Sequence, residues 1–365
     1  IDASDYKTAR GMLIKVVNQE ARRLQYLLDS EKLSIYDKKI FAALLEQELD
    51  DETLYFSLRE LTELLNKHFC RKAILLIDEY DVPLAKANER GYYREMTALI
   101  RSLFSAALKT NENLYFAVLT GCLRVAKESI FTGLNNMNIF SITDGDLDEY
   151  FGFTDREVRE MLRYYGLEEN YETVKEWYDG YRFGKAEVYC PWDVVCYCSK
   201  HRKNKKLPPQ NYWINTSGNE VLRHFISGMA SQRMVTKAQM ERLVEGETVQ
   251  KEIYQELTYP ELYASSDNLW STLFMTGYLT QRGEPDGNLF HLAIPNREVR
   301  NIFTEQILKM FQEAAGRDGE ALGAFCNALE YGRAGEVERR LTGYLEKTIS
   351  IRDTFARKPT KENFY

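Results

Sequence analysis

The chain has 365 residues, 44% of them hydrophobic and 28% charged, with a formal net charge of −7 from 48 basic and 55 acidic residues. These values suit a globular protein of two or three domains and argue against broad electrostatic binding of nucleic acid. No run approaches the roughly 18 apolar residues that a membrane span needs, and no signal peptide is visible. A cytoplasmic protein that does not engage the membrane is therefore expected.

The N-terminal third opens with helices. Residues 6 to 28 place Met12, Ile14, Val16, Val17, Leu24, Leu27 and Leu28 at helical spacing. Ser34 can cap a second helix over about 36 to 49, and residues 53 to 68 form a third with Leu54, Leu58, Leu61, Leu64 and Leu65 on one face. The period then changes. Ile74 to Ile77 is a short continuous apolar run, which predicts a strand buried on both sides in a parallel sheet. A helix over about 91 to 109, a second buried strand at Leu114 to Leu119 and a third at Asn138 to Ile142 complete an α/β pattern. In such a layer the strand C-termini share one edge, and ligands bind there.

Thr154-Asp155-Arg156-Glu157 is a capping box opening a helix to about Tyr165. From there the chain is mostly helical. Pro191 suits a helix N1 position, and the basic run His201 to Lys206 with Pro208-Pro209 reads as a solvated linker. Helices are expected near 219 to 231, 236 to 245, 268 to 276, 296 to 314, 319 to 331 and 335 to 347. A hairpin is expected over Tyr278 to Ile294, turning on Glu284-Pro285-Asp286-Gly287. The six cysteines are scattered, with no Cys-x-x-Cys, and the four histidines lack ligand spacing, so reduced thiols and no His/Cys metal site are expected.

The candidate chemistry lies at the strand ends. Ile74-Leu75-Leu76-Ile77 runs into Asp78-Glu79-Tyr80-Asp81. In a P-loop ATPase the first acid at such a tip, here Asp78, helps hold Mg²⁺ through its waters. The next, Glu79, can act as general base on an attacking water. Asp81 adds charge nearby. Thr120 at the tip of the next strand would stand beside the γ-phosphate, and Arg124 would contact the phosphate, or a carboxylate when nucleotide is absent. The plainer reading is that acidic residues end a strand because it re-enters water. The chain holds no Gly-x-x-x-x-Gly-Lys-Ser/Thr. Its one Gly-Lys pair, Gly184-Lys185, has Asp179 and Ala186 at the flanking positions and follows the acidic strand instead of preceding it.

Further motifs accompany the acidic strand: Leu119-Thr120-Gly121, Ser129-Ile130-Phe131-Thr132-Gly133-Leu134-Asn135-Asn136, Trp177-Tyr178-Asp179-Gly180-Tyr181-Arg182-Phe183-Gly184 and Tyr189-Cys190-Pro191-Trp192. They continue with Tyr212-Trp213-Ile214-Asn215-Thr216-Ser217-Gly218-Asn219, Thr276-Gly277-Tyr278-Leu279-Thr280 and Ile294-Pro295-Asn296-Arg297-Glu298-Val299. On these the chain resembles the bacterial and archaeal family of predicted AAA-ATPase-like proteins with a C-terminal PD-(D/E)XK nuclease-like domain. The resemblance implies ATP and Mg²⁺ in the parent protein. It implies a preceding phosphate loop of the form Arg-Pro-Arg-Arg-Phe-Gly-Lys-Ser/Thr, and a nuclease-like domain entered near Lys358 to Tyr365.

The expectation is a fragment of that parent: an incomplete P-loop ATPase-like α/β domain over 1–150, a mostly helical lid or winged-helix-like region with a small β-hairpin over 151–315, and a helical connector over 316–365. The fragment alone is expected to be inactive, to bind no cofactor and to bind nucleic acid weakly. The target, protein or nucleic acid, is left unnamed. Asp179 and Arg182 are expected to pair or project from a turn made by Gly180 and Gly184, with Arg182 a candidate nucleotide sensor. The cluster Asn215 to Asn219 reads as an N-cap. The alternative function is a non-catalytic nucleotide-fold scaffold or protein-interaction module.

Overall fold

The computed structural model describes residues 2–123, 130–131, 137–213, 222, 234–317 and 319–342. The chain divides into two compact units, Ile1–Ile139 with Tyr254–Asn268, and Phe140–Ile253 with Leu269–Tyr365.

In the first unit, Asp5 accepts the Thr8 amide and caps α1, Tyr6–Arg23, whose inner face buries Ala9, Leu13, Ile14, Val17 and Ala21. A 3₁₀ turn at Gln25–Asp29 follows. Ser34 and Asp37 form a reciprocal capping box that starts α2, Ile35–Ala43. This helix is shorter than its expected span. Glu46-Gln47-Glu48 has no apolar face to bury, and Asp50 already caps α3, Asp51–Phe69. Then come β1, Ala73–Ile77, and two helices, α4, Val82–Arg90, and α5, Tyr93–Leu108. Gly91, at φ +85°, closes α4 and lets α5 start afresh.

β2, Leu114–Leu119, pairs with β1 in parallel, with Ile74 opposite Phe116 and Leu76 opposite Val118. α3 packs on β1 and α5. The expectation of strands buried on both sides is corrected. Ile74, Leu76, Phe116 and Val118 share one face and are exposed, Leu76 at 72%. The helices cover the other face, so the alternation of the pleat decides which residues reach water. The expected strand at Asn138 to Ile142 is also absent. Residues 137–141 form neither helix nor ladder, and Ile139 and Phe140 are exposed.

In the second unit, the Thr154–Glu157 capping box opens α6, Asp155–Tyr164, as expected. α7, Tyr171–Tyr178, leads to a short hairpin of β3, Tyr181–Phe183, and β4, Ala186–Val188. α8, Pro191–His201, begins on its proline. Val158, Leu162, Tyr178, Tyr189 and Tyr197 form one core among these elements. His201 is buried at the end of α8, where its ring nitrogens lie 2.8 Å from the Tyr197 carbonyl and 2.9 Å from that of Leu207. The basic run thus begins tied to the fold.

The described chain continues with α9, Met234–Glu245, β5, Val249–Glu252, and α10, Ser266–Met275. The expected hairpin is present as β6, Thr280–Gln281, and β7, Leu289–Ala293, turning through Gly287 at φ +59°. It gains β5 as a third antiparallel strand, which the polar Val249-Gln250-Lys251-Glu252 does not announce. α11, Arg297–Arg317, and α12, Gly319–Glu330, follow, and residues 334–342 are helical. Trp270, Phe274, Leu292 and Phe303 centre a second core. The helix expected near 219 to 231, the Asn215 to Asn219 cluster and the stretch from Lys358 to Tyr365 lie outside the described residues. No helix among those described is long and apolar enough to cross a membrane. Cys70, Cys122, Cys190, Cys196 and Cys198 are free thiols.

Candidate functional site at the strand tips

Parallel pairing of β1 and β2 brings their C-terminal tips side by side, and the backbone ladder extends past both strands. The Thr120 amide donates to the Ile77 carbonyl at 2.9 Å, and the Tyr80 amide donates to the Thr120 carbonyl at 2.9 Å. This clamp sets Thr120 against Asp78. Its hydroxyl donates to the Asp78 carboxylate and accepts the Glu79 amide at 3.2 Å. One hydroxyl thereby orients both acidic residues.

Glu79 has φ +52°, a left-handed conformation that costs a non-glycine residue roughly 1–3 kcal/mol. The turn lets the Glu79 amide face Thr120 while the chain reverses into α4. Asp78 and Glu79 are both exposed. Two carboxylates on a rigid tip, one held by a threonine, suit a hydrated divalent cation and a polarised water. The described residues contain no group of three or more His, Cys, Asp or Glu able to hold a metal ion. Such a cation would therefore need phosphate oxygens and water to complete its shell.

Asp81 differs from its neighbours. It is 1% exposed, and its Oδ2 accepts the Cys122 and Leu123 amides at 3.0 Å each and the Tyr259 hydroxyl at 2.9 Å. It holds the loop after β2 in place and does not face solvent beside Asp78. Gly121 is dictated by this packing, since a Cβ there would lie 2.7 Å from Asp81 Oδ1 and 2.8 Å from Tyr80 Cε1. The Cys122 thiol is raised above its usual range by burial, then by Asp81 and Glu79.

The remaining sequence-predicted residues do not join this tip in the description. Arg124 lies outside the described residues, as does most of the Ser129 to Asn136 motif. Arg182 belongs to the second unit, where its guanidinium donates to the Gly184 carbonyl at 3.2 Å and pairs with Glu284. The expected Asp179–Arg182 pair is thus replaced by one to the hairpin turn. Asp179 is instead half-buried, and desolvation raises its carboxyl above the usual range. Gly180, at φ +96°, lies so close to the Pro295 carbonyl that a Cβ would sit 2.2 Å from that oxygen. Arg282 straps the two segments by donating to the Gly180 carbonyl at 2.9 Å and to that of Pro295 at 3.3 Å. The motif from Tyr178 to Gly184 is a packed junction. Tyr259 was not singled out in the sequence. It stands 178 residues from Asp81, and no local pattern marks the contact.

Residues 5–131 match the model of a family described as predicted AAA-ATPase, a stretch that includes both strand tips. The description indicates an ATPase-like function at a coarse level. An "uncharacterized protein in vnfD 5'region" from Azotobacter chroococcum mcd 1 is 26% identical over 246 residues, covering 65% of this chain and 43% of that protein. The chain thus matches less than half the length of that curated relative. No solved structure matches.

Proposed function

We propose that the tips of β1 and β2 are the metal-and-water side of an ATP-hydrolysing site of the P-loop type. The observation that carries this reading is Thr120 bridging Asp78 and Glu79 across adjacent parallel strands, with Glu79 held at positive φ. Bound ATP–Mg²⁺ would supply the phosphoryl group and neutralise its charge. Asp78 would hold the hydrated cation through its waters, and Glu79 would accept the proton of the attacking water. Thr120 orients both acids through its hydroxyl. Arg124, which follows this tip in sequence, is the candidate phosphate contact. Asp81 serves the site from behind, by fixing the loop that carries Thr120.

The amide cradle for the phosphates would come from outside these 365 residues, which contain no phosphate-loop motif. On the family resemblance, hydrolysis would drive a nuclease-like output domain in the parent protein. Residues 1–365 alone should neither bind ATP tightly nor hydrolyse it. Micromolar ATP affinity of this chain in calorimetry would overturn that expectation. In the longer protein, Glu79→Gln should lower ATP hydrolysis by at least about a hundred-fold while leaving ATP bound. Phosphate release unaffected by Glu79→Gln, together with undetectable ATP binding, would favour the interaction-module reading. The exposed apolar face of the β1–β2 sheet is the feature that would serve such a module.

A further inference from the structure

Asp81 is the residue immediately before α4, the position at which an aspartate ordinarily caps a helix with its own side chain. Here it makes no side-chain cap bond. Its carboxylate is turned to the loop after β2 instead, where three donors converge on Oδ2, while Oδ1 has no hydrogen-bond partner among the described residues. A buried carboxylate diverted from its local helix costs stability unless the arrangement it holds is needed.

The third donor comes from far along the chain. Tyr259 lies in the segment Tyr254–Asn268, which belongs to the first unit while the sequence on both sides of it belongs to the second. That segment is built to present the tyrosine. Glu261 accepts the Thr258 amide at 3.0 Å and the Thr258 hydroxyl at 2.9 Å, closing a tight turn. Asn268 donates to the Glu261 carbonyl at 2.8 Å, and the turn packs on α4. The Tyr259 ring meets Tyr93 edge-on at 6.3 Å between centroids. Burial, then Asp81, keeps its phenol protonated far above the ordinary range, so it remains a donor at any physiological pH.

We propose that Tyr259 is a positioning residue for the strand-tip site. Its hydroxyl fixes Asp81, Asp81 fixes the amides of Cys122 and Leu123, and that loop holds Thr120 against Asp78 and Glu79. The segment Tyr254–Asn268 is thereby a strap on the loop after β2. The role assigned to the tip itself rests on the ATPase reading, whereas the chain of contacts does not.

Two arms of one experiment separate these. In residues 1–365, the Cys122 amide signal can be followed by ¹⁵N-cysteine labelling and assigned with Cys122→Ser. Tyr259→Phe should shift that signal and speed hydrogen exchange at 120–123 by about ten- to a hundred-fold, the equivalent of one hydrogen bond to a charged group. Exchange in β1 should stay unchanged. Asp81→Asn keeps the shape and an acceptor, and should give a smaller change in the same residues. It also decides the matter if Tyr259→Phe folds poorly. Changes confined to 254–268, with residues 120–123 unmoved, would overturn the proposal. In the longer protein, Tyr259→Phe should lower kcat with little change in KM for ATP. If Glu79→Gln leaves hydrolysis intact, the ATPase reading fails while the amide signals still decide the positioning role.

Discussion

Asp193 and Glu298 show at the scale of single residues how burial alters chemistry. Each stands in the first turn of a helix, α8 and α11, and each is almost fully buried. Glu298 Oε1 accepts the Trp213 amide at 2.7 Å, while Asp193 Oδ1 and Glu298 Oε2 find no donor among the described residues. The two carboxyls are close enough for each to alter the other's proton affinity, with Cys190 beside Asp193 and the Tyr178, Tyr181 and Tyr212 phenols nearby. Desolvation, reinforced for Glu298 by the charge of Asp193, pushes both upward, Glu298 to about 8. The folded chain therefore binds a proton that the unfolded chain has released by neutral pH. That stabilisation is complete below the unfolded value of about 4.3 and is lost as pH rises through about 8. Urea unfolding should lose on the order of 2 kcal/mol between pH 6 and 9. Glu298→Gln, which supplies its own donor, should flatten the profile; a wild-type profile without a fall would refute the raised Glu298 carboxyl. The Asp78–Glu79 pair was readable in sequence because its acids follow an apolar run directly. The Asp193–Glu298 pair was not, because its members are separated by more than a hundred residues.

Among the elements, local signals succeeded where neighbouring residues suffice. The capping boxes at Ser34 and Thr154, the α8 start at Pro191 and the turn through Gly287 are all properties of four or five consecutive residues. Thr154→Ala should cost about 1 kcal/mol in thermal or urea unfolding. β5 was missed because Val249-Gln250-Lys251-Glu252 has little strand character of its own, and its partner β7 supplies the ladder. Asn138 to Ile142 failed in the opposite sense, apolar enough for a strand but without one to pair with among the described residues. The Gly180 junction belongs to this scale as well. Gly180→Ala should destabilise the chain by about 2–4 kcal/mol, since it combines a strained φ with a clash against the Pro295 carbonyl. An unchanged melting temperature would show that the junction can shift.

For the whole molecule, the most consequential observation is the uncovered face of the first unit's sheet. Parallel sheets ordinarily have both faces covered, yet Ile74, Leu76, Phe116 and Val118 face water. Leu76→Lys should therefore reduce binding of a hydrophobic dye such as ANS to this chain and leave the melting temperature within a few degrees, because little packing is lost. A large loss of stability would mean that this face is covered in solution. Among the described residues, the three-stranded antiparallel sheet of the second unit shows no such face. Phe290, Leu292 and Ala293 of β7 are buried, while Gln250 and His291 pair on the outer side.

By itself the amino-acid sequence determined many of the helices, the two parallel strands and the acidic tip. These follow from short-range periodicity, capping and the abrupt change from apolar to charged residues, all encoded within a few positions. Only the tertiary structure decided that Asp81 is buried while Asp78 is exposed, and that Arg182 is committed to Glu284. It also decided that Tyr259 reaches back to the loop after β2. Burial and long-range hydrogen bonding depend on which distant segments close over a side chain, and a linear pattern holds no record of that closure.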